Sequence, residues 1–171
     1  MKRIPEKGKI PMERVNRILA HPAYREAIRK NKEAEQERRY CHHDMAHFLD
    51  VARIAMLLAA KEGISVSEES VYAAALVHDM GRYRQYEDGT PHERASAELA
   101  EEILLASGFD NKETRVIVDA VRNHRNAETA EEKSLRGLLY RADKLSRACF
   151  ACPVQEECNW SAEKKNLRLI M

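Results

Sequence analysis

Little in this chain breaks a helix. Glycine and proline number only 6 and 5, while Ala, Glu, Arg, Lys and Leu are abundant, a balance that favours helices. No segment alternates apolar and polar residues in the manner of a strand. There is no internal repeat, low-complexity tract or linker that would split the chain. An excess of charge is missing too: 29 Lys and Arg stand against 28 Asp and Glu, so no global field recruits nucleic acid or a membrane surface. Neither partner is expected. No apolar run approaches membrane-spanning length, and Met1-Lys2-Arg3-Ile4-Pro5-Glu6-Lys7 is too polar for a signal peptide. A cytoplasmic location is the expectation, with the 4 cysteines as reduced thiols and not a disulfide framework.

What is present reads as one helical domain. With 171 residues, 44% of them hydrophobic, the chain can bury about two-thirds of its unfolded surface. Residues 1–39 form an N-terminal helical extension expected to pack on the core. One helix runs from Pro11 through Ala20, and a second from Ala23 to Arg39, whose far end, Lys30 to Arg39, is polar and solvent-facing. Asp44 caps a helix carrying Phe48, Val51, Ala52, Ala55, Leu58 and Ala59 at helical spacing, stopped by Gly63. Ser65 with Glu68 reads as a capping box ahead of the apolar run Val71 to Val77. A polar loop from Arg82 to Thr90 leads to a helix after Pro91, and another helix spans Asn111 to His124. Thr129 with Glu132 reads as the capping box of a late helix ending at Cys149. Residues 151–171 form a cysteine-containing tail of the same domain, with one helix expected after Ser161. The fold class is all-α, a single-domain bundle of about six or more helices.

The apolar run ends at His78-Asp79, followed by Met80-Gly81. Adjacent residues on a helix diverge, so they serve one site only where something at the helix end collects both, and a metal ion does so. Residues of ligand type surround the pair in sequence: His43, His47, His92, His124 and Asp143. His47 sits in the first turn of its helix, and Asp143 lies in a late helix whose Leu135, Leu138, Leu139 and Leu145 face a core. Together His47, His78, Asp79 and Asp143 can hold one divalent ion and leave positions open for water and substrate. His92 opens a helix and His124 closes one. Both can serve a second ion, or else act as a cap and as a favourable charge at a helix C-terminus.

In order, spacing and helical context, three strings resemble the HD-domain metal-dependent phosphohydrolase superfamily over residues about 40 to 150. They are His47-Phe-Leu-Asp-Val51-Ala52, Ala74-Ala-Leu-Val-His78-Asp79-Met-Gly81 and Arg141-Ala-Asp143-Lys144-Leu145. The resemblance implies an all-helical HD domain over residues 40–150 with His47, His78, Asp79 and Asp143 as metal ligands. Some branches hold two ions bridged by the HD aspartate and add two histidines, places that His92 and His124 would fill. The ion could be Fe, Mn, Zn, Ni, Co or Mg. The string His43-Asp44-Met-Ala-His47 is similar to the entry motif of cyclic-nucleotide phosphodiesterases in this superfamily, where the first histidine protonates the leaving group. That suggests His43 as general acid, although Asp44 stands where those enzymes have Asn. Some nucleotidase members carry Glu three residues after the HD aspartate, and here that position is Arg82.

Arg82 and Arg84 follow the pair and are candidate phosphate clamps, since a guanidinium reads phosphate oxygens with a planar fork. Lys144, beside Asp143, is a candidate for substrate binding and for neutralising developing charge, or forms an exposed salt bridge. Arg122 and Arg125 flank His124 and could widen a positive rim. Asp79 would hold or bridge the ions and orient the attacking water. The expected function is metal-dependent hydrolysis of a phosphoester or phosphoanhydride in a small molecule, with nucleotides favoured by the resemblance alone. An HD-domain di-iron oxygenase and a non-catalytic nucleotide sensor are the alternatives, and a homo-oligomer is open. Cys149-x-x-Cys152-x5-Cys158 allows buried structural thiols, a redox pair, or a metal or iron–sulfur site completed by Cys41 or a histidine.

Overall fold

Residues 12–170 are described by a computed structural model, and all their regular structure is helical. In chain order the helices are α1 Glu13–Ala20, α2 Pro22–Ala34, α3 Met45–Glu62, α4 Glu68–Val77, α5 Arg82–Glu87, α6 His92–Ala106, α7 Asn111–Asn123 and α8 Leu135–Leu145. Short 3-10 turns occupy Ala127–Thr129, Cys149–Ala151 and Gln155–Glu157. No helix among the described residues is long and apolar enough to cross a membrane.

Helix α4 is the centre of one all-helical domain. Its Val71, Ala73, Ala74, Ala75, Leu76 and Val77 are buried, so it is apolar on every face beyond its first turn. Helices α1, α3, α6, α7 and α8 pack around it, and α2 reaches the bundle through α5. Helix α3 buries Phe48, Val51, Ala52, Ala55, Leu58 and Ala59 as its spacing predicts. Asp44 caps it by accepting from His47 N at 3.0 Å, and Gly63 ends it at φ 65°, a left-handed conformation that glycine adopts without a Cβ clash.

Several boundaries differ from the sequence expectation. Ser67, not Ser65, caps α4 by accepting from Ser70 N at 3.4 Å, because the helix opens two residues later, at Glu68. Thr129 does not cap a helix; its hydroxyl donates to Asn126 O inside a 3-10 turn, and Ser134 caps α8. That helix stops at Leu145, short of Cys149. The Asn166 side chain donates to Lys144 O and Arg147 O at 2.8 Å, satisfying carbonyls that a longer helix would have used. No helix follows Ser161. The expected start of the first helix at Pro11 lies outside the described residues.

Two differences bear on the site. Helix α2 ends at Ala34 rather than Arg39, and its polar end is not wholly exposed: Asn31 and Glu35 are buried. Asn31 Nδ2 donates to Asp79 O at 2.9 Å, and its Oδ1 accepts from Tyr83 N at 2.7 Å, so one side chain ties α2 to both ends of the turn between α4 and α5. The segment expected as a polar loop after Gly81 contains α5, with Tyr83 buried. At six residues it is too short to show a period in the sequence. Gly81 permits the packing of this turn on α6. Its N–H donates to Ser96 Oγ at 2.9 Å, and a Cβ there would stand 2.5 Å from Ser96 N. Gly81→Ala must therefore displace backbone, and it is expected to lower stability by about 1–3 kcal/mol. An unchanged denaturant midpoint in the variant would contradict this packing account.

Candidate metal centre

Five helix ends meet at one point. His47 comes from the first turn of α3, His78 and Asp79 directly follow α4, and His92 opens α6. His124 directly follows α7, and Asp143 lies in the last turn of α8. All six side chains are buried. Their potential ligand atoms fall into two groups, each within 4.8 Å: His47, His78, Asp79 and Asp143 in one, and Asp79, His92 and His124 in the other.

Asp79 belongs to both groups, and its two oxygens face different ways. Oδ2 lies 3.2 Å from His78 Nε2 and 3.7 Å from His47 Nε2. Oδ1 lies 3.2 Å from His92 Nε2 and 3.4 Å from His124 Nε2. Asp143 Oδ1 completes the first group at 3.4 Å from His47 Nε2 and 3.7 Å from His78 Nε2. One carboxylate is thus offered to both groups, one oxygen to each.

The other ring nitrogens decide which atoms are free to bind. His78 Nδ1 sits 2.7 Å from Ala75 O, and His124 Nδ1 sits 2.6 Å from Val121 O. A carbonyl only accepts, so each Nδ1 carries a proton and Nε2 is the nitrogen turned to the site. His92 Nδ1 likewise meets Gln85 Oε1 at 2.6 Å, and His47 Nδ1 meets Ser146 Oγ at 3.2 Å. The Ser146 hydroxyl already donates to Asp143 O, so it accepts from His47. Metal-binding histidines are held in this way, by an anchor on the outer nitrogen. The inner nitrogens of His47 and His92 lie 3.3 Å from Arg147 Nη2 and Arg82 Nη1. Buried His78 Nε2 and Asp79 Oδ1 have no hydrogen-bond partner in the protein, which ordinary buried polar groups avoid. The residues fit a divalent cation at this point.

Electrostatics point the same way. Burial alone would raise the carboxyl pKa of Asp79 and Asp143. The surrounding imidazoles outweigh it and hold both well below the usual range. Burial also disfavours charge on His78, yet the neighbouring carboxylates push its pKa up to about 10. A proton there takes the part of a cation the pocket demands. His92, by contrast, is pushed down to about 3, first by burial and then by Arg82 and the other nearby cations, leaving a neutral imidazole.

His43 lies beside the first group, with Nε2 3.8 Å from Asp79 Oδ2 and Nδ1 2.5 Å from Glu35 Oε1. Burial pushes its pKa down to about 4. Burial works to raise Glu35 as well, but hydrogen bonds from His43 and Tyr86 hold it at about 2. At neutral pH the pair is an imidazole donating from Nδ1 to a carboxylate. Nothing in the polar stretch 30–39 distinguished Glu35 from its solvated neighbours, so sequence reasoning missed it.

The ligands open into a cavity of about 260 Å³. Six cationic side chains line it: Arg38, Arg82, Arg125, Lys144, Arg147 and Lys165. Its only acidic lining residues are Asp79 and Asp143. Arg147 was overlooked although it lies one helical turn after Asp143; its Nη2 stands 3.3 Å from Asp143 Oδ1. Lys144 Nζ donates to Asp143 Oδ2 at 2.6 Å. Arg84 does not line the cavity. Its side chain points away from the cavity, paired with Glu98 at 3.1 Å and Asp88 at 3.8 Å, because α5 turns successive side chains to different sides. Arg122 also lies elsewhere, in a shallow surface depression with Glu101 and Asp119.

The shared carboxylate makes a test of ion number. His124→Ala is expected to halve the metal bound per chain, while Asp79→Ala loses nearly all of it from these two positions. Mass-spectrometric metal analysis of the reconstituted variants reads this directly, and full metal content in His124→Ala would exclude the second position.

Comparison with known proteins agrees with this geometry. The chain is 41% identical over 158 residues to an uncharacterized protein of Clostridium beijerinckii, covering 92% of this chain and 99% of that one. It also resembles the crystal structure of a predicted HD superfamily hydrolase from an uncultured Thermotogales bacterium. There the TM-score is 0.58 at 27% identity, over 85% of this chain and 83% of the other. The HD domain model matches residues 45–148, which span α3 through α8 and contain all six candidate ligands. The chain belongs to the HD-domain family.

Proposed function

We propose that this protein is a metal-dependent phosphohydrolase that cleaves a phosphoester or phosphoanhydride of a small molecule, with a nucleotide as the favoured class. One observation carries the reading: the cavity over Asp79 is lined by six cations, and its two carboxylates both belong to the ligand groups. A compact polyanion suits that surface, and phosphate suits its arginines. The di-iron oxygenase alternative shares the ligand set but gives these cations no task.

Divalent ions bound at the two groups would supply an acidified water and would polarise the phosphoryl oxygens. The protein's own groups do the rest. Asp79 would hold ions at both positions, with one oxygen towards each group, and would help orient that water. Arg82 is largely buried, and its Nε makes no hydrogen bond although Glu35 Oε1 lies 3.4 Å away, so its guanidinium is placed to meet a phosphate oxygen. Arg147 and Lys144 flank Asp143 and are placed to balance charge that develops on the transferred group. His43 faces the same space through Nε2, while Glu35 fixes its ring through Nδ1. This dyad, neutral at rest, would take the proton of the attacking water on Nε2 and then pass it to the departing oxygen.

Phosphate release from the metal-loaded protein, screened over mono-, di- and cyclic nucleotides and dinucleotide polyphosphates, tests the reading. Activity on at least one class is expected, and Asp79→Ala should abolish it. Oxygen consumption with bound iron and no phosphate release across the panel would sink the proposal. Arg82→Ala is expected to weaken kcat/KM by about 10–100-fold, the worth of a charged hydrogen bond of about 1.5–3 kcal/mol. Glu35→Gln should lower kcat by about 10–100-fold with metal content unchanged, as loss of an outer partner does. A kcat equal to the parent's would remove the dyad from the mechanism.

A further inference from the structure

The four cysteines Cys41, Cys149, Cys152 and Cys158 all border the cavity that holds the His and Asp ligands, although Cys41 is remote in sequence from the other three. None is disulfide-bonded and none is exposed. A free cysteine without a chemical role commonly fills space in an apolar core. Yet no cysteine belongs to the hydrophobic core cluster or packs against it. These thiols face a polar wall shared with Arg38, Arg147 and Lys165.

The segment carrying three of them lacks a core. Residues 150–170 contain no buried side chain, and their only regular structure is a pair of 3-10 turns. Few bonds tie the segment down. Phe150 N donates to Asn166 O at 2.9 Å, and Asn166 caps α8. Arg39 pairs with Glu157 at 2.8 Å, and the Tyr40 hydroxyl donates to Glu157 O at 3.2 Å. The last two contacts bring the neighbours of Cys41 and Cys158 together from opposite parts of the chain. Small segments without an apolar core are commonly fixed by a disulfide or a structural metal.

We propose that Cys41, Cys149, Cys152 and Cys158 form a thiolate site for a thiophilic metal, zinc or an iron–sulfur cluster, that fixes the tail as the outer wall of the cavity. Four thiolates complete a tetrahedral zinc site or hold a cluster, and two of these cysteines have the two-residue spacing common to both. Each thiol releases its proton to water on binding. The sulfurs stand farther apart than a chelate requires, since no cysteine belongs to a group of three or more ligand atoms within 4.8 Å. Closing to metal–sulfur bonds of about 2.3 Å asks most of Cys152 and Cys158, which lie in a segment without buried packing. Gln155, Asn159 and Trp160 line the cavity from that segment, so the centre would set the shape of the substrate's outer contacts.

Metal and acid-labile sulfide analysis of the full chain tests this independently of any turnover. The Asp79→Ala protein is expected to retain zinc, or iron with sulfide, in the amount that a Cys152→Ser/Cys158→Ser double variant loses. The double variant should keep the ions of the His and Asp groups. Zinc without sulfide identifies a single ion, and iron with sulfide identifies a cluster. To separate loss of metal from loss of tail structure, unmutated protein purified without oxygen is also titrated with a mercurial thiol reagent, with released metal followed by a chromogenic chelator. Release in step with thiol modification supports the site. Complete modification with no metal released, or equal metal content in the parent and the double variant, overturns it.

Discussion

The structure turns on a buried carboxylate that cannot be satisfied by the protein alone. Asp79 is surrounded by histidine nitrogens, its Oδ1 has no hydrogen-bond partner, and its neighbour His78 likewise leaves Nε2 bare. An ionised carboxylate in such a place is tolerated only when opposite charge is supplied. The imidazoles can supply it as protons, and a divalent ion supplies it better because it engages several lone pairs at once. Packing around this point is arranged to keep that demand open: outer nitrogens are tied to carbonyls, Gln85 and Ser146, and His78 Nε2 is left without a partner.

The same constraint explains the bundle. Helix α4 is apolar on nearly all sides and sits in the middle, so its end delivers His78 and Asp79 to the interior. Neighbouring helices then need only bring one end each to the same level. Asn31 holds the turn after α4 from one side, and Gly81 allows α6 to approach from the other. The structural residues nearest the site therefore serve geometry more than hydrophobic burial. Around this floor the cavity wall is cationic, so the electron-rich ligands lie under a positive rim.

Much of this was legible in the sequence. Helical class follows from scarce glycine and proline and from apolar residues at helical spacing in α3 and α4. The HD-family resemblance rested on His47, His78-Asp79 and Asp143, whose order and spacing carry the signal. Helix starts were less legible. Ser65 and Ser67, or Thr129 and Ser134, are chemically equivalent caps, and only the packed length of each helix selects between them. Arg82 and Arg84 look alike as phosphate clamps, but a six-residue helix sends one into the cavity and the other towards Glu98.

By itself the sequence determined the helical fold class, the family and the residues able to bind metal, because periodicity and ligand type are local properties. Only the tertiary structure decided that Asp79 parcels its two oxygens between two pairs of histidines. It alone brought Glu35 from a polar stretch to His43, and Cys41 to the same cavity as the cysteines of the tail. Those pairings depend on side-chain direction and on close approach between distant segments. Neither is encoded in spacing along the chain.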